Sequence, residues 1–80
     1  MHRIQVELRD VAAWYAVIRE LNQVCGAGNW KGQNHVRRRL EHLIWDPDKS
    51  IWVWFDVPDV TISSWLAVKL AVQVRILPNK

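Results

Sequence analysis

The chain has 80 residues, half of them apolar, with six tryptophans and a formal charge of +3. A chain of that length makes one domain and buries only about 60% of its unfolded surface, so six indoles are hard to hide. The composition excludes a disordered tail, and the mild basic excess permits an acidic partner without requiring one.

Cys25 is the only cysteine, so no intrachain disulfide can form. A four-ligand zinc site could draw otherwise only on His2, His35 and His42, so neither a metal nor another cofactor is expected. The start of the chain, Met1 to Glu7, alternates and carries charge, unlike a secretory signal. No apolar run approaches the roughly 20 residues that cross a bilayer. A cytoplasmic protein without membrane contact is the expectation.

In chain order, Ile4, Val6 and Leu8 alternate with Arg3, Gln5, Glu7 and Arg9, the period of a strand with one buried face. Asp10 offers an N-cap. Trp14, Val17, Ile18, Leu21, Val24 and Cys25 then recur at helical spacing and predict a helix over 10–25, stopped by Gly26. Residues 26–34 hold three glycines but lack the Gly-Lys-Ser/Thr ending of a phosphate-binding loop, so they read as a flexible connection.

Residues 35–45 carry two patterns. Val36, Leu40, Leu43 and Ile44 make a helical stripe. The following Asp46-Pro47-Asp48-Lys49-Ser50 has the chemistry of a turn between antiparallel strands. Ile51 to Phe55 is β-branched and aromatic, hence a strand, and its nearest neighbour in the chain is the segment before the turn. A hairpin with strands at 37–46 and 51–55 is the favoured reading. A short helix over 34–43 leading into a brief strand is the alternative.

Asp59 or Thr61 can cap a second helix, with Ile62, Trp65, Leu66 and Leu70 inward and Ser63, Ser64 and Lys69 outward. Val72, Val74 and Ile76 alternate with Gln73 and Arg75 in a last strand closed by Pro78. The predicted class is therefore α+β, in the order β-α-β-β-α-β. It resembles the ferredoxin-like, split-βαβ arrangement, a four-stranded antiparallel sheet with two helices on one face. That scaffold hosts many functions and implies none.

If the helices cover one face, Trp52 and Trp54 stand on the other, with Trp45 and either Leu43 or Ile44 beside them according to register, and Arg75 at the rim. Large apolar groups ringed by polar ones mark interaction sites, and Trp and Arg are enriched at binding hot spots. The leading expectation is a non-enzymatic interaction module, an adaptor, inhibitor or regulatory subunit. It forms a homodimer or binds a partner protein through Trp45, Trp52, Trp54, Leu43 and Arg75. The alternative is nucleic-acid binding, with sheet aromatics stacking bases and Arg37, Arg38, Arg39 and Lys31 reaching phosphates. His35, His42, Glu41, Asp46 and Asp48 offer acid or base groups, but they form no recognisable catalytic pattern, and Cys25 reads as a small buried hydrophobe.

Overall fold

The computed structural model describes residues 1–46 and 48–78, with the backbone alone at Ile44. Strand β1, His2–Leu8, follows the alternation of its sequence: Ile4, Val6 and Leu8 are fully buried, while Arg3, Gln5 and Glu7 face the other way. Helix α1, Val11–Val24, begins where the Asp10 carboxylate accepts the Ala13 N–H at 2.7 Å. That bond satisfies a donor the helix leaves orphaned. The helix stops at Gly26, whose φ of +89° suits a residue without Cβ.

The next segments depart from the expected hairpin. Residues 37–46 do not form a strand. Helix α2, Val36–His42, and a short 3-10 helix, Leu43–Trp45, occupy the region. Val36 and Leu40 lie one turn apart and are both almost fully buried, which commits the segment to the helical period. Strand β2 falls instead at Lys31–Gly32, inside the expected loop. Trp30 of the same loop packs beside Phe55, with ring centroids 6.0 Å apart, and donates Nε1–H to Asn22 Oδ1 of α1 at 2.8 Å. Pro47, at the centre of the expected turn, lies outside the described residues.

Strand β3, Ile51–Val57, pairs antiparallel with β1 along all seven residues, from His2↔Val57 to Leu8↔Ile51. Helix α3, Thr61–Leu70, follows Asp59, whose carboxylate accepts the Thr61 N–H at 2.9 Å. Strand β4, Val74–Ile76, lies on the other side of β1. The result is an α+β domain with an open four-stranded antiparallel sheet in the order β2-β3-β1-β4. Among the described residues it has three α-helices rather than the expected two, and its second strand comes before α2 rather than next to β3 in the chain, so it is not a plain ferredoxin-like arrangement.

One apolar core joins the elements. Ile4, Val6 and Leu8 of β1 and Val53, Phe55 and Val57 of β3 meet Val17 and Leu21 of α1, Val36 and Leu40 of α2, and Ile62 and Leu66 of α3. All three helices thus lie on one side of the sheet. On α3 the inward and outward sets differ from expectation. Ser63 is buried, its hydroxyl donating to the Val60 carbonyl at 2.7 Å, whereas Trp65 turns outward and is 47% exposed. Glu20 of α1 is buried because it accepts the Trp65 Nε1–H at 2.7 Å and lies 3.9 Å from the Lys69 ammonium.

Candidate functional site

The face of the sheet away from the helices is set by the pleat. Residues that alternate with the buried set on β1 and β3 must project there. Arg3 opposes Asp56, Gln5 opposes Trp54 and Glu7 opposes Trp52, while Arg75 of β4 opposes Gln5. The side chains interlock. Arg3 reaches Asp56 through two nitrogens, Nε to Oδ1 at 2.8 Å and Nη2 to Oδ2 at 3.1 Å. The same guanidinium lies 4.1 Å from the Trp54 ring centroid. The Arg75 guanidinium extends across β1 and sits 3.7 Å from the Trp52 centroid. Glu7 accepts the Ser50 hydroxyl at 3.0 Å.

A cation over an indole face is attracted by the ring quadrupole, and the guanidinium plane stacks well there. Both tryptophans are consequently only part exposed although no helix covers them. The Arg3 guanidinium, hydrogen-bonded to Asp56, holds that carboxyl below the usual carboxylate range, helped by the charges of the N-terminus and Lys31. This face carries charged and aromatic groups in mutual contact.

Trp45 and Leu43 do not belong to this face, which corrects their expected grouping with Trp52 and Trp54. Both lie on the 3-10 helix that replaced the expected strand. Leu43 packs against the core, and Trp45 is 87% exposed. Trp45 shares a shallow hollow of about 270 Å³ with Arg38, Glu41 and His42. Arg37, Arg38 and Arg39 are exposed on α2, on the helical side of the sheet, so the arginine run and the sheet tryptophans do not converge. Lys31 sits on β2 opposite Asp56.

Of the acid and base candidates, Glu41 and His42 share the hollow of Trp45. Arg37 pairs with Glu41 at 3.0 Å and Lys49 with Asp46 at 3.1 Å. Burial pushes the Cys25 thiol above its ordinary pKa. Among the described residues no three His, Cys, Asp or Glu side chains are grouped to hold a metal ion, and no helix is long and apolar enough to cross a membrane.

An apolar groove of about 510 Å³ lies outside the sequence-derived set. It runs between the end of α1 and the outer side of α3, lined by Val24, Thr61, Ile62, Ser64, Trp65 and Val68. Val68 is 84% exposed. The signal for it is present in the sequence. With Ile62, Leu66 and Leu70 inward, Thr61, Trp65 and Val68 fall together on the opposite side at i, i+4 and i+7.

Comparison of the chain with protein-family models, curated proteins and solved structures gives no match.

Proposed function

We propose that this is a non-catalytic, cytoplasmic interaction module that docks a protein surface, a second copy of itself or a partner, through the helix-free face of its sheet. The observation that carries the reading is the pair of stacks, Arg3 over Trp54 and Arg75 over Trp52, on a face that no helix covers. The stacks favour a protein surface over a nucleic-acid base at this face, because a base would have to displace guanidinium groups already seated at 4.1 and 3.7 Å. The scaffold reads as a ferredoxin-like, split-βαβ domain in which β2 has shrunk to two residues and α2 fills the space before β3. The placement of β1 between β3 and β4 supports that reading.

A second reading uses the groove of Val24, Trp65 and Val68 as the self-association surface, favoured by the exposure of those side chains at 46%, 47% and 84%. Light scattering at micromolar protein separates the two. Loss of the dimer in Trp52→Ala and Trp54→Ala, with Val68→Glu still dimeric, supports the sheet face. The reverse pattern transfers the interface to α3. If the wild type is a monomer, capture of a partner protein by wild type but not by Trp54→Ala supports the sheet face, and equal capture refutes it.

A further inference from the structure

We propose that α2 and the 3-10 helix after it form a binding face for single-stranded nucleic acid, with Trp45 stacking on a base and Arg38 and Arg39 contacting phosphates. This inference is independent of the sheet face.

The first observation is where the charge lies. Residues 1–30 carry three basic and three acidic side chains, and residues 46–80 carry four of each. The whole formal excess of +3 therefore falls within residues 31–45, where Lys31, Arg37, Arg38 and Arg39 face Glu41 alone. Lys31 sits apart on β2 opposite Asp56, so α2 itself carries +2, from Arg37, Arg38 and Arg39 against Glu41. Val36 and Leu40 are 2% and 1% exposed, so α2 gives one side to the core and turns all three arginines outward.

Among the described residues two of the three acids of the neighbourhood are matched, and Asp48 is not. Glu41 is paired with Arg37 and Asp46 with Lys49. Among the described residues Arg38 and Arg39 make no ion pair.

The second observation is Trp45. A lone exposed indole means little. This one, at 87% exposure, shares its hollow with Arg38 and, among the described residues, makes no aromatic or cation–π contact. The ring faces that Trp52 and Trp54 have given to arginines are free here. A stacking platform next to an unpaired cation, Arg38, with Arg39 exposed on the same helix, is the combination that single-strand binding uses, since every base offers a π-face and every linkage a phosphate. A duplex hides its base faces and uses only the charge. A membrane would need an apolar helix face to insert, and α2 has committed its own to the core.

The test is fluorescence anisotropy of labelled twelve-nucleotide oligo-U and oligo-dT with the full chain. Controls are a duplex of equal length, polyglutamate and phosphatidylserine vesicles. The single strands are expected to bind at 50 mM salt and to lose about tenfold in affinity by 200 mM, as two or three phosphate contacts require. Trp45→Ala is expected to weaken binding about tenfold with an unchanged salt slope, and Arg38→Ala to reduce the slope by about 0.7. The proposal is overturned by absence of binding at 50 mM salt, by a Trp45→Ala variant as tight as wild type, or by duplex, polyglutamate or vesicles bound as tightly as the single strand. Both replaced side chains are exposed, so unchanged circular dichroism shows that the variants remain folded.

Discussion

Leu40→Ala probes the segment on which both surfaces depend, because it separates the helix at Val36–His42 from a strand through the same residues. Leu40 is 1% exposed and belongs to the core shared with β1 and β3. Truncation removes three carbon atoms from an apolar environment, which at about 0.8 kcal/mol each sets a floor near 2.4 kcal/mol. Incomplete collapse of the cavity raises the expected loss to about 3 kcal/mol. For a domain of this size that lowers Tm by roughly 12–24 °C. Urea denaturation followed by circular dichroism measures it, alongside Arg38→Ala and His42→Ala, which are exposed and should stay within about 0.5 kcal/mol of wild type. In a strand, residues 38, 40 and 42 would share one face and respond alike. A loss below about 1 kcal/mol at Leu40, or comparable losses at all three positions, would refute the helical placement.

The Arg3–Asp56 pair gives a pH dependence. Its folded carboxyl titrates below its ordinary value of 3.8, so the stability it contributes is present above about pH 4 and is lost as pH falls through the lowered value. Asp59, lowered by its bonds to Thr61, acts with the same sign. Between pH 5 and 2 the urea midpoint of Asp56→Asn should fall less than that of wild type, and parallel profiles would contradict the pairing. Cys25, raised by burial, should react with a disulfide reagent at pH 7.5 more slowly than a free peptide thiol, and a faster reaction would show an activated cysteine. Gly32→Ala would bring a methyl group to 3.2 Å from the Trp30 ring and 3.3 Å from that of Phe55. About 1 kcal/mol of destabilisation is expected in the same urea assay, and unchanged stability would mean that β2 yields freely.

Where a local pattern had one physical reading, the sequence was sufficient. The alternation of β1, the Asp10 cap and the stop at Gly26 bracket an amphipathic helix, and each depends on residues within a few positions of one another. Val36 to Trp45 carries two patterns at once. The choice between them rested on what pairs with the edge of β3 away from β1, and that partner is Lys31–Gly32, more than twenty residues away in sequence, rather than the segment before the turn. No local signal encodes that pairing. β1 takes one edge of β3 and Lys31–Gly32 pairs with the other, so the segment after them folds as a helix, and burial of Val36 and Leu40 stabilises that outcome.

The tryptophans divide in the same way. Composition alone established that so small a particle cannot bury six indoles, and the period of β3 put Trp52 and Trp54 together on one side of the strand. Only the tertiary structure decided that Arg3 and Arg75 roof those two rings, that Glu20 draws in the Trp65 N–H, and that Trp45 stands in water beside Arg38. Exposure belongs to the neighbours of a side chain, and those neighbours arrive from strands and helices distant in the chain.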